Sequence, residues 1–169
     1  MDSTVLDPTT PEAAASVTIE HAFGTITVSD EALMDFPQGG LFGFERVTRY
    51  ALLPAARRGL WWLMSPTTPP VTFVLADPFV VAPSYELDLA ESERERLGIE
   101  QPTDVIALVV LTLPADPGGV VTANLRAPLV VNITKRLAAQ IVSRDDTHGV
   151  ATPVDLSLYP PQAEGVQLG

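Results

Sequence analysis

The chain has no cysteine, so no disulfide framework, thiol nucleophile or cysteine-held zinc site can be built from it. A reducing cytoplasm suits that composition. Histidine is almost as scarce, with only His21 and His148, and basic residues number 10 against 21 acidic ones, for a net charge of -11. A field of that sign repels phosphate backbones, because nucleic-acid binders need clustered Lys and Arg to displace counterions. No direct nucleic-acid partner is therefore expected, whereas a basic protein would be drawn in, most strongly at low salt. No uncharged apolar run reaches the roughly 18 residues that suggest a membrane helix. The opening "MDSTVLDPTTPEAAASVTIE" lacks the basic and apolar regions of a secretory leader. These absences predict a cytoplasmic protein with no membrane partner.

What is present suits one domain. At 169 residues and 46% hydrophobic composition, such a chain buries roughly two thirds of the surface it exposes when unfolded. Sixteen prolines argue against long helices. Residues 1–16 and 151–169 show neither helical nor strand period and are expected to be flexible tails, the second rich in proline, around a folded domain at 17–150. Inside it, short runs rich in Val, Ile, Thr and aromatics recur between Gly, Pro and Asp. "SVTIEHAFGTITVS" reads as a hairpin with Gly24 near its bend, and "RYALLP", "GLWWLMS", "VTFVLADP", "DVIALVVLTLP", "GVVTANL", "LVVNI" and "AAQIVS" as further strands. The expected fold class is all-β, mainly antiparallel and barrel-like. One short surface helix is expected near residues 89–97, with Asp88 as its N-cap and Gly98 beyond its last turn.

The inventory for chemistry is thin. His148 with Asp145 or Asp146 could form part of a triad on paper, but no G-x-S-x-G elbow presents a serine. "QGGLFGFE" resembles a phosphate-cradling loop in its glycines only: no lysine follows, and Glu45 would repel an anion. The glycines read as a tight loop that folds Phe42 and Phe44 onto the core, or alternatively presents them to a partner. Glu91, Glu93 and Glu95 read as a solvated helix face. Adjacent Trp61 and Trp62 must point to opposite faces of a strand, one into the core and the other covered or exposed. No catalytic residue, metal site or cofactor is expected.

Asn124 and Asn132 share strand parity in "VTANLRAPLVVN", yet Pro128 cannot donate to a ladder, so a break is expected around residues 126–128. Buried asparagines there would pair the backbone groups that such a break strands.

The segments "FPQGGLFGFE", "WWLMSP" with "VTFVLADPFVVAPSYELDL", "ERERLGI", "DVIALVVLTLP", "VTANLRAPLVVN" and the glutamine of "AAQIV" resemble, in order, those of the FliW flagellar assembly factors. The resemblance spans about residues 17–142. The chain departs from the usual G-L-P-G-F loop by an extra glycine and Phe42, and has Ala138 and Ala139 where a glycine often precedes the glutamine. The resemblance implies a non-enzymatic β-barrel that binds flagellin and the translational regulator CsrA. It further implies that FliW released from exported flagellin relieves CsrA repression of flagellin translation, acting away from the RNA surface of CsrA. Monomer is the favoured state. Candidate contact residues, chosen as exposed polar and aromatic signals, are Phe42, Phe44 and Glu45 on the glycine loop and Asp77, Phe79, Tyr85 and Glu86 after the "VTFVLA" strand. Asn124, Arg126 and Asn132 at the break complete them. The alternative function is a small-molecule-binding barrel, which requires a sizeable internal pocket.

Overall fold

The computed structural model describes residues 16–21, 24–67, 70–144 and 147–162. The expected hairpin forms from β1 (Ser16–His21) and β2 (Gly24–Ser29), paired antiparallel from Ser16 opposite Ser29 to His21 opposite Gly24. Gly24 has φ +138, a value open to glycine and costly for other residues. Alternation gives the two-stranded sheet one apolar face. Ile19 and Val28 on that face pack against Leu33, Ala51, Leu53 and Met64 of the larger sheet.

That larger sheet begins with a meander of β3 (Leu33–Asp35), β4 (Arg49–Pro54), β5 (Leu60–Met64), β6 (Thr72–Ala76) and β7 (Val105–Thr112). After β8 (Val121–Ala123), β9 (Leu129–Asn132) returns along the first half of β7. β10 (Leu137–Gln140) then pairs antiparallel with β9 and parallel with β3. Seven strands, β3 to β7 with β9 and β10, thereby close on themselves, and closure pairs most of the edge that an open sheet offers for aggregation. Along β4, Tyr50 and Leu52 turn inward while Ala51 and Leu53 turn out beneath the hairpin. The lumen is filled by Phe36, Tyr50, Leu63, Leu75, Leu129 and Val131 among others, each large aliphatic side chain contributing roughly 1.5–3 kcal/mol by leaving water. The Tyr50 ring meets Phe36 edge-on at 5.2 Å, and burial pushes its phenol up to about 12. The fold class expected from the strand pattern is the one observed.

Two short helices interrupt the barrel. α1 (Pro78–Val81) starts where Asp77 accepts a hydrogen bond from the Phe79 N–H at 2.9 Å, with Pro78 at a position that needs no donor. α2 (Glu91–Arg96) lies within the expected helix, but its N-cap is Ala90 and not Asp88. The carboxylate of Glu93 accepts from the Ala90 N–H at 2.9 Å, the reciprocal half of a capping box, while Ala90 has no side chain to cap the first turn. Gly98, at φ +63, stops the helix as its composition implied.

The C-terminal stretch departs from expectation. Residues 151–162 do not form a tail: β11 (Thr152–Val154) adds to β8, and Tyr159 beyond it is fully buried. Its ring lies over Gly59, where a Cβ would come within 2.9 Å of it, and its hydroxyl donates to the Asp77 carbonyl at 2.8 Å. Ring burial outweighed the local proline content, which had suggested irregular chain. Residues 1–15 and 163–169, the remaining expected tails, lie outside the described residues, while Ser16 belongs to β1. Tyr159→Ala is expected to lower unfolding stability by about 3–5 kcal/mol and Tyr159→Phe by about 1 kcal/mol, both read from urea denaturation. Equal effects of the two changes would show that the hydroxyl, and not the ring, carries the anchor.

Candidate partner-binding surfaces

The segment between β8 and β9 runs beside β7 but leaves its ladder. Leu111 faces Ala123 and Leu108 faces Leu129, so three steps along β7 span six along the partner segment. The surplus backbone is almost completely paired by side chains and a neighbouring strand. Asn124 Oδ1 accepts from the N–H groups of Arg126 and Ala127 at 3.2 and 3.1 Å. The carbonyls of Arg126 and Pro128 accept from Ser143 and Ile141 N–H, and that of Leu125 accepts from the Tyr85 hydroxyl at 3.0 Å. The Ala127 carbonyl takes the Gln140 side-chain amide at 3.1 Å. A break expected from Pro128 is thus present, locked as its asparagine implied.

Asn132 repeats the device at the end of β9. Its Oδ1 accepts from Thr134 and Lys135 N–H, both at 3.0 Å, shaping the turn into β10. Its amide donates to the carbonyls of Leu97 and Gly98 at 2.8 and 3.2 Å, which ties the end of α2 to the barrel. The residue is 0% exposed. Asn124, Asn132 and Tyr85, all put forward as partner contacts, therefore have polar atoms committed inside the fold.

Gln140 does more than bridge the break. Its Oε1 accepts from the Phe42 N–H at 2.8 Å, so one side chain joins the strand break to the glycine loop. Gln140, the glutamine of the "AAQIV" family segment, is not among the candidate contact residues above, and its role is structural. The signal available was a single polar residue in an apolar strand. Within the loop Gly40 N–H bonds Glu45 O, and a Cβ on Gly40 would collide with the carbonyls of Phe44 and Val47. Glu45 accepts from the Gly43 N–H at 3.0 Å, and that bond holds its carboxyl below the usual range. The first expectation for Phe42 and Phe44 fails: they are 53% and 42% exposed, with Phe44 meeting Phe73 in a T-shaped contact at 5.2 Å between centroids. The loop closes tightly at Gly40 and presents both rings to solvent.

A second aromatic group surrounds α1. Phe79, 45% exposed, meets buried Tyr85 edge-on at 5.8 Å, and His148 also packs against Tyr85, at 5.1 Å between ring centroids. Glu86 beside them is exposed, Asp77 is the helix cap, and Arg126 is half-buried with its Nε unpartnered among the described residues. His148 packs against the Tyr85 ring. Asp145 and Asp146, suggested as its partners, lie outside the described residues. Among the described residues, no group of three His, Asp or Glu side chains could hold a metal ion.

Between these regions a cleft of about 730 Å³ opens in the barrel wall. Trp61, Leu87, Leu89, Ile99, Val105 and Leu108 give it an apolar lining, with Arg58 and Arg94 among its polar residues. Trp61 belongs with the lumen cluster and Trp62 with the outer ones, as strand parity required, and both are half-buried. The internal pocket that a ligand-binding barrel requires is occupied by core side chains, and the open volume lies in the wall.

A closed barrel with a filled lumen, an exposed aromatic loop and a wall cleft defines the class: a small, single-domain β-barrel protein. The model of the family described as FliW protein matches residues 18–154. A flagellar assembly factor FliW of Treponema pallidum is 38% identical over 123 residues, 73% of this chain and 81% of the relative. Another, of Geobacillus thermodenitrificans, is 40% identical over 119 residues, 70% and 81% of the two chains. A solved structure described as the crystal structure of the flagellar assembly factor FliW superposes with a TM-score of 0.71 at 33% identity, covering 85% of this chain and 97% of that one. The chain belongs to the FliW family of flagellar assembly factors.

Two substitutions separate the structural roles. Asn132→Ala strands two carbonyls and two N–H groups and should cost roughly 2–4 kcal/mol in chemical denaturation. Gln140→Ala should cost only about 1–2 kcal/mol while markedly speeding amide exchange at Phe42. Unchanged exchange there would show that the loop holds its shape without Gln140.

Proposed function

We propose that this chain acts in the cytoplasm as a monomeric, non-enzymatic binding protein for flagellin and CsrA, relieving CsrA repression of flagellin translation when it is not occupied by flagellin. The observation that carries the reading is the family match across residues 18–154. Charge and surface support it. CsrA must be positively charged where it holds RNA, and a protein of net charge -11 is drawn toward such a partner. An acidic protein docked nearby would also raise the electrostatic cost of RNA approach without occupying the base-reading surface.

Flagellin monomers carry amphipathic ends that await assembly partners, and exposed apolar rings suit such ends. Phe42 and Phe44 with Glu45 are the proposed contacts on the glycine loop. Phe79, Asp77 and Glu86, with Arg126 on the adjoining segment, form a second proposed contact region. Tyr85, Asn124 and Asn132 support these surfaces from within.

Calorimetry with purified flagellin and CsrA should show binding of each, competition between them, and weaker CsrA binding as salt rises. Phe42→Ser should reduce affinity for at least one partner by roughly tenfold or more with an unchanged unfolding midpoint, since the ring is exposed. Failure of both proteins to bind would sink the proposal.

A further inference from the structure

The seam that closes the barrel is short. β10 meets β3 at Leu137 opposite Asp35, where the Asp35 N–H donates to the Arg136 carbonyl at 3.0 Å. A parallel ladder carried one step further would need the N–H of residue 37 to reach the Ala138 carbonyl, and Pro37 has none. The chain turns off there toward the glycine loop. On the opposite side β10 stays paired, and the chain beyond it continues the pattern, with Ile141 and Ser143 donating to the carbonyls of Pro128 and Arg126. Odd-numbered residues of this stretch therefore turn their backbone groups toward β9 and the break, and even-numbered ones toward the side that β3 has left. The Ala138 carbonyl, both backbone groups of Gln140 and the Val142 N–H have no backbone partner on that side among the described residues. The Gln140 side chain is committed to the Phe42 N–H and the Ala127 carbonyl, so what it offers along this edge is its main chain. Val142 is 53% exposed, and Ala139 and Gln140 are half-buried, so the edge reaches solvent.

A groove of about 360 Å³ follows this edge. Residues 139–142 line it together with Phe42 and Glu45 of the glycine loop and Glu93, Arg96 and Leu97 of the α2 region. Arg96 donates to the Gln38 side-chain carbonyl at 3.1 Å, joining α2 to the loop. The carboxylates of Glu45 and Glu93 each accept from a backbone N–H and have no cation within ion-pair distance among the described residues. Two carboxylates against one guanidinium leave the groove negative. Residues 1–15 and 163–169 carry no Lys or Arg, and a second copy of the chain would add another net charge of -11. Neither end of this chain nor a second copy matches the charge of the groove.

We propose that the open edge of β10 is a strand-addition site for an extended segment of a protein partner that alternates apolar and basic side chains. The segment pairs with the Gln140 and Val142 backbone, packs apolar side chains against Phe42 and Val142, and sets a basic one against Glu45 and Glu93. The site rests on the glycine loop being a contact surface, as proposed above, and adds the form and charge of what that surface holds.

The probe is a short fluorescein-labelled peptide of alternating valine and lysine, added to the intact chain. Its anisotropy should rise saturably, and amide exchange at Gln140 and Val142 should slow. A peptide methylated at alternate backbone nitrogens keeps every charge and side chain but loses its donors, and should bind roughly tenfold more weakly. That control needs no variant to fold. In the Glu45→Gln, Glu93→Gln double variant the amide oxygens still accept the two internal hydrogen bonds, and the peptide should bind roughly three- to tenfold more weakly. Undiminished binding of the methylated peptide, or saturation with exchange at Gln140 and Val142 unchanged, would overturn the proposal in favour of attraction by net charge alone. Absence of saturable binding would overturn it outright. Neither flagellin nor CsrA enters the experiment, so a failed peptide counts against the strand-addition site alone, and failure of both proteins in calorimetry counts against the functional reading.

Discussion

A backbone that leaves its ladder must find other partners for the groups it strands, and here that requirement falls on residues 124–128. The barrel closes only because the segment can rejoin β7 three residues further out of register and run on as β9. Asn124, Gln140, Tyr85 and the 141–143 backbone together supply the missing bonds. Through Gln140 the same network reaches the Phe42 N–H, so the position of the aromatic loop depends on how the break is satisfied. Buried polar networks of this kind rigidify when their members are paired, and here that holds the glycine loop against the break.

The wall opening between β6 and β7 is the counterpart of that closure. On one side of β7 the surplus chain is folded in and paired. On the other, Asp77 and Pro78 turn β6 away into α1, which packs against β7 without continuing its ladder. Tyr159 secures the turning point by bonding the Asp77 carbonyl and packing over Gly59. A C-terminal segment with the composition of a tail therefore holds the rim of the cleft.

Much of the barrel was legible in the sequence because its signals are local. Alternation marked the β1–β2 hairpin, Gly98 marked the end of α2, and Pro128 marked the break. The cap of α2 was misplaced because Asp88 and Ala90 differ in propensity by type, whereas the cap is decided by where Glu93 can reach back. The glycine loop was legible with two alternatives for its phenylalanines, folded inward or presented, and only the packing decided for the second. The role of Gln140 was missed because a lone polar residue in an apolar strand does not name its partner.

By itself the sequence determined the all-β class, the near absence of catalytic side chains and the family, since composition, period and motif order are properties of the chain alone. Tertiary structure decided which phenylalanines face solvent, which asparagines are buried, and where the barrel wall opens. Those depend on register and closure, which bring residue 140 to residues 42 and 127, and residue 159 to residue 77. No local pattern encodes such pairings, because each is set by the packing of segments far apart in the chain.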